Sequence, residues 1–314
     1  MTSTLAVLAL TLALASQAVP QNPTAPDAPG ARLEVDLVAL DRKGTPLTDL
    51  RPEEVEVWIE RYRIPVEALI ALTPDDERRR RSIILLLDDM TLNPALVARA
   101  REAARRFVDT MAPGDRMAIT MLSGSSLKVT EDRAELLRQL NSYNVRATPV
   151  MRIDEFAAHV LRSFASLSRQ MQEWPGHRKT IVAIGSSWLF DTPIPPAGIA
   201  GNLRPEWTDA VRAMALANAV LYVIDPGGVG ASRVAASAGF ARDTGGHAFT
   251  NTNDLTGAAE RIMRESETFY IVRFADPPVF RGAPLRELDV RVLRRDTTVR
   301  ARRLIPGGAA VPVR

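Results

Sequence analysis

Ser82-Ile83-Ile84-Leu85-Leu86-Leu87-Asp88-Asp89 constrains the fold of this chain more than any other stretch. Its apolar run is too short to cross a membrane and opens on two β-branched residues. Such a run fits a strand buried on both faces, the environment of an interior strand in a parallel sheet. Two carboxylates stand where that strand ends. Ligands of open parallel sheets collect beyond the carboxyl ends of the strands, so Asp88 and Asp89 mark the edge at which a functional site is expected.

The hydrophobic rhythm changes on either side of this strand. Before it, residues 31–41 alternate with period two, as do Val55 to Glu60, and Tyr62 to Leu72 reads as a third strand. After it, strands and amphipathic helices take turns, which implies parallel strands joined by right-handed crossovers. Apolar residues from Leu96 to Val108 keep helical spacing, and Met117 to Leu122 is the next strand. Leu127 to Thr130 reads as a short edge strand, with Thr130 capping a helix that starts at Glu131. Further strands are expected at Thr180 to Ile184, Ala219 to Ile224 and Ala248-Phe249, with Phe269 to Phe274 completing the parallel sheet. Leu285 to Val292 and Thr297 to Arg302 then alternate again and read as a hairpin around Arg294-Arg295-Asp296. The expected fold class is α/β: a Rossmann-like, doubly wound, mostly parallel sheet over residues 82–275. A small β unit is expected from residues 31–72, completed by residues 285–303.

Leu5 to Ala15 is apolar and is followed by small residues at Ser16-Gln17-Ala18, the pattern of a signal peptide over residues 1–18. Residues 19–30, rich in proline, read as a linker. The expected location is therefore periplasmic or secreted, with no transmembrane segment beyond the signal peptide. The chain has no cysteine, which excludes disulfides, thiol nucleophiles and cysteine-ligated metals. With 40 basic and 37 acidic residues, its net charge of +3 is too balanced to point to nucleic acid as a partner.

Several motifs together resemble a von Willebrand factor A (VWFA) domain, in particular the exported bacterial group called VWFA-related acidobacterial proteins. They are the strand ending in Asp88-Asp89, Pro113-Gly114-Asp115-Arg116 before the next strand, Ala219 to Asp225, Thr244-Gly245-Gly246-His247-Ala248-Phe249 followed by Asn251 to Leu255, and the closing Tyr270 to Phe274. The resemblance spans about residues 31–303. It implies a metal-ion-dependent adhesion site in which an Asp-x-Ser-x-Ser loop, a Thr and a further Asp hold a hard cation through oxygen atoms.

This chain departs from that pattern. Counted from Asp88, the two hydroxyl positions are Met90 and Leu92, which cannot ligate a cation. Counted one residue later, Asp89, Thr91 and Asn93 all carry oxygen, at the cost of turning the first ligand to the other face of its strand. Thr148 is the candidate second-loop threonine, and Gly185-Ser186 stands where the family has its third-loop aspartate. The candidate metal set is thus Asp88, Asp89, Thr91 and Asn93, expected to hold Mg²⁺ or Mn²⁺ weakly, with no cofactor otherwise implied. The other reading has Asp88 and Asp89 cap the following helix or stay solvated.

Enzyme signatures are weak. Gly227-Gly228-Val229-Gly230 does not give G-x-G-x-x-G, Gly185-Ser186-Ser187-Trp188 is not a nucleophile elbow, and no two of His159, His177 and His247 have metal-ligand spacing. The expectation is a non-enzymatic binding or adhesion module that recognises a protein or cell-envelope component. Its expected contact edge gathers Asp88, Asp89, Thr91, Ser186, Asp191 and Asp225 beside the proline-rich stretch from Pro193 to Pro205. The alternative is a hydrolase or nucleotide-binding enzyme using the same carboxyl edge.

Overall fold

A computed structural model of the chain describes residues 32–74, 76, 80–124, 126–146, 151–185, 203–230, 235–277 and 282–307. The expected leader and linker, and also Thr148, Ser186, Asp191 and most of the stretch from Pro193 to Pro205, lie outside them.

The stretch Ser82–Leu87 forms a strand, β5, with every residue buried. It pairs in parallel with β6 (Arg116–Met121) on one side and β7 (Lys179–Ile184) on the other; β8 (Ala219–Ile224) and β9 (His247–Phe249) continue the sheet. The order β6-β5-β7-β8-β9 is the doubly wound order 2-1-3-4-5, whose direction reverses between β5 and β7. This is the Rossmann-like α/β arrangement expected from the sequence. Helices α1 (Val97–Asp109), α2 (Arg133–Asn141) and α6 (Leu255–Glu267) line one face; α3 (Ile153–Met171), α4 (Arg204–Leu216) and α5 (Ala235–Asp243) line the other. In α1 the buried stripe is Val97, Ala100, Ala103, Ala104, Phe107 and Val108, and its alanines let the helix lie close against the sheet. Gly246 is required before β9, because a Cβ there would stand 1.8 Å from the Leu221 carbonyl oxygen.

Two antiparallel sheets form a sandwich beside this layer. One has the order β12-β1-β10-β4 and the other β13-β11-β2-β3, where β1 is Arg32–Leu40, β2 Val55–Ile59, β3 Tyr62–Ile64, β4 Val66–Leu72, β10 Phe269–Ala275, β11 Leu285–Val292, β12 Thr298–Ala301 and β13 Leu304–Pro306. Leu33, Val35, Leu37, Val57, Ile59, Val272, Phe274, Leu288 and Val290 pack between the two sheets.

Five sequence expectations are corrected by these pairings and caps. The strand Phe269–Ala275 does not complete the parallel sheet; it pairs antiparallel with β1 and β4 inside the sandwich. The stretch from Tyr62 to Leu72 is two strands in different sheets, divided at Pro65, whose missing N–H cannot continue a ladder. The expected hairpin also divides: β11 pairs with β2 and β13, whereas β12 pairs with β1. Between them, Arg294 is held by Asp49 and Glu54 and Asp296 has a φ of 60°. The expected edge strand from Leu127 to Thr130 is only a single antiparallel bridge, Met117 to Thr130, and the residue capping α2 is Asp132, whose Oδ1 accepts from Ala134 N and Glu135 N.

A buried polar chain joins the sandwich to the amino end of the parallel sheet. Asp36 on β1 meets Arg178 and His177, just before β7, and Asn218, just before β8. Arg178 reaches the Tyr222 hydroxyl, which donates to Glu265 on α6, and Glu265 pairs in turn with Arg300 of β12. With that end closed by the sandwich, the carboxyl edge is the end of the sheet left for a site.

Candidate functional site

The ladder runs one residue past each strand, so that Leu122 N reaches Leu87 O, Asp88 N reaches Ile184 O, Gly185 N reaches Ile224 O and Asp225 N reaches Phe249 O. These bonds set Asp88, Gly185 and Asp225 side by side. Asp88 and Asp225 are two strands apart, about 10 Å at ordinary strand spacing.

Asp88 is fully buried. Its Oδ1 accepts from Met90 N at 3.0 Å and Thr91 N at 2.8 Å, and its Oδ2 accepts from Thr91 Oγ1 at 2.7 Å. Burial raises the Asp88 carboxyl above its ordinary range against these three bonds, and the neighbouring Asp89 charge adds to the rise. The Tyr143 hydroxyl donates to the Asp88 carbonyl at 2.7 Å from within the core, tying the end of α2 to the same turn.

Asp89 is also fully buried, and it faces the opposite way. Its Oδ1 accepts from Ser123 N at 2.9 Å and its Oδ2 from Ser123 Oγ at 2.5 Å. Arg146 completes the setting: its N–H donates to the Asp89 carbonyl at 2.8 Å, and its guanidinium lies 3.6 Å from Asp89 Oδ2.

The remaining candidates do not converge on one point. Thr91 is exposed with its hydroxyl committed to Asp88, and Asn93 Oδ1 accepts from Ala95 N to cap the turn that leads into α1. Met90 packs against the core on one side of the sheet, and Leu92, 1% exposed, lies in the core on the other. Asp225 is buried, with Oδ1 accepting from Gly227 N at 2.8 Å while Oδ2 finds no hydrogen-bond partner among the described residues. Burial raises its carboxyl, and the Arg99 charge opposes this. Among the described residues no group of three or more His, Asp or Glu side chains is placed to hold a metal ion.

No protein-family model matches this chain, and no curated protein matches it. Among solved structures, the crystal structure of the manganese-loaded TRAP protein of Plasmodium vivax aligns with 74% of this chain and 96% of its own length, at 10% identity and a TM-score of 0.39. The fold stated above rests on this chain's own strand order and register.

Sequence reasoning missed Ser123, Arg146, Arg99 and Asn253. Ser123 follows the strand that ends near Leu122 in a Ser/Gly stretch, and such stretches read simply as turn. Arg99 donates to Asn253 Oδ1 at 3.3 Å; Val229 N reaches the same oxygen at 3.4 Å, and Gly230 N reaches Asn251 Oδ1 at 3.0 Å. These bonds present Val229, 66% exposed, at the tip of the loop after β8. A separate cleft lies between the sandwich and α4. About 910 Å³ in volume, it is bounded by Trp58, Glu287 and Arg291 of the sandwich and by Trp207 of α4, and none of the candidate residues above lines it.

Proposed function

We propose that this chain is an exported binding module of the von Willebrand factor A type, working in the periplasm or outside the cell, with a degenerate metal site. It recognises a protein or cell-envelope partner through the carboxyl edge of the parallel sheet. One observation carries the reading: both carboxylates at the switch point are fully buried and engaged by neighbouring loops, Asp88 by its own turn and Asp89 by Ser123. Carboxylates held in this way brace loops. The solvent-facing groups they support are Thr91 and Arg146; with Val229, held at the same edge by Asn253, these give a mixture of polar, cationic and aliphatic surface that suits macromolecular contact.

The test is retention of envelope proteins by the full immobilised chain and by a Val229→Ser/Thr91→Ala variant. Both proteins are also screened for esterase, phosphatase and nucleotide-binding activity. The expected result is a discrete partner retained by the wild type and weakened in the variant. Turnover in the screen with no partner retained by either protein overturns the reading in favour of the enzyme alternative.

A further inference from the structure

Beside the Asp89 brace, a cleft of about 430 Å³ opens between the edge strand β6 and α2. Its floor is apolar, from Ile119 and Met121 on the helix-facing side of β6. Its walls carry two cations, Arg146 and Lys128, whose side chains are 72% and 66% exposed. The acidic residue lining it is Glu135, whose carboxylate takes Lys128 at 3.3 Å, Gln139 Nε2 at 3.0 Å and Arg138. The negative charge of Glu135 is thus already shared among three donors, two of them cationic.

Arg146 is anchored through its backbone N–H, which donates to the Asp89 carbonyl, and its exposed guanidinium stands 3.6 Å from the buried Asp89 carboxylate, which Ser123 orients in turn. A guanidinium fixed from behind loses less freedom on binding than a loose one, and its planar fork matches a carboxylate. Lys128, which shares Glu135 with Arg138 and Gln139, stands across a cleft whose floor would take the aliphatic stem of a ligand side chain.

We infer that this cleft receives an acidic segment of the partner polypeptide, with one Glu or Asp carboxylate bound between Arg146 and Lys128. This inference rests on the binding-module reading and gives it a partner chemistry. The positive charge that meets the ligand is supplied by a braced arginine and a lysine from this chain's own loops.

Penta-glutamate is the probe, titrated into the full chain by NMR or calorimetry at low salt, with penta-lysine and inorganic phosphate as controls. The expected result is weak binding of penta-glutamate alone, lost on raising the salt, as exposed ion pairs are screened. Arg146→Gln and Lys128→Gln should each weaken it about fivefold, and Arg146→Lys should restore part of the loss. Lys128 does not touch Asp89, so its variant separates ligand binding from any loosening of the brace.

Equal penta-glutamate binding by the wild type and the Arg146→Gln/Lys128→Gln double variant overturns the inference, and so does an equal response to phosphate. The envelope retention experiment, run with the same double variant, separates the two claims. A partner retained equally by both proteins sinks the acidic-segment site and leaves the binding module standing. Penta-glutamate binding that the double variant loses, with no envelope protein retained by either, supports the site and sinks the module.

Discussion

The Asp36 carboxylate on β1 lies 3.2 Å from the Arg178 guanidinium just ahead of β7, and both side chains are buried. Burial alone would raise the Asp36 carboxyl; His177, then Arg178 and Asn218, hold it well below the usual carboxylate range. Removing the carboxylate by Asp36→Ala leaves Arg178 and Arg302 buried with less opposing charge, and breaking such a buried pair costs about 3–5 kcal/mol. Asp36→Asn, which keeps the shape and one acceptor oxygen, should cost less. Urea unfolding of the two variants checks this, and a loss below about 1 kcal/mol for Asp36→Ala would mean that the sandwich is held by its apolar contacts alone.

A second prediction concerns pH at the same junction. His177 Nε2 stands 3.0 Å from Asp36 Oδ1, close enough for an ion pair though outside good hydrogen-bond alignment. Burial would lower the ring's pKa; the Asp36 charge, with Glu34 behind it, outweighs burial and raises it above 6.5. A raised folded-state value stabilises fully below pH 6.5 and is lost as pH rises through the folded value. The melting temperature of the wild type, relative to His177→Gln, should therefore be highest near pH 6 and decline toward pH 9. The decline should be about 2–4 °C for each 1 kcal/mol lost. A difference that is flat across that window would place no proton on His177.

The same strands show what the sequence made legible and what it did not. Alternation located β1, and continuous apolar runs located β5, β7 and β8, because burial on one or both faces leaves that period directly in the residues. Phe269–Ala275 misled because Tyr270, Val272 and Phe274 face the sandwich core while Phe269 and Ile271 lie in a separate cluster with Val38 and Leu40. A strand buried on both faces reads as a parallel-sheet strand whichever sheet it joins. Nothing in the sequence beside Asp36 or Glu265 points to Arg178 and Arg300, which reach them from other elements far along the chain. Asp88 and Asp89 were legible as marking the edge, but their roles depend on Ser123 and Thr91, whose hydroxyls carry no signal of their partners.

Ser123 gives a third prediction. Ser123→Ala removes the 2.5 Å bond to Asp89 Oδ2 and leaves that oxygen, in a fully buried side chain, with the Arg146 guanidinium at 3.6 Å. An under-satisfied buried acceptor costs about 1–3 kcal/mol, so denaturant unfolding should show a loss in that range. Amide exchange should quicken at Ser123 and Arg146, whose N–H groups both donate to Asp89. Unchanged exchange at Arg146 would mean that its position does not depend on the brace.

A fourth prediction concerns cations. Asp89, Thr91 and Asn93 direct their oxygens to different partners, Ser123, Asp88 and Ala95 N, so gathering them around one ion disturbs these bonds. Each is worth about 0.5–1.5 kcal/mol net, and few protein anions offset dehydration of the cation. Calorimetry with Mg²⁺ or Mn²⁺ should therefore show binding no tighter than about millimolar. Micromolar binding abolished by Asp88→Ala would mean that the loop rearranges around a working ion site.

The last prediction tests the loop after β8 as part of the contact face. Gly228 has a φ of 80°, and a Cβ there would stand 2.4 Å from Asn253 Oδ1 and 2.9 Å from Arg99 Nη1. Both contacts are side-chain ends, so Gly228→Ala can be accommodated, but only by moving the Asn253 oxygen that holds Arg99 and the Val229 N–H. The left-handed backbone adds about 1 kcal/mol of strain for alanine. The variant should stay folded, lose about 1–2 kcal/mol in denaturant unfolding, and exchange its amides faster at Val229 and Gly230. Envelope-partner retention should fall with it, because Val229 would no longer be presented in one place. Val229→Ser, which removes an exposed side chain and leaves the loop's bonds in place, should weaken retention with almost no change in stability. Faster exchange in Gly228→Ala with undiminished retention would exclude this loop from the contact face.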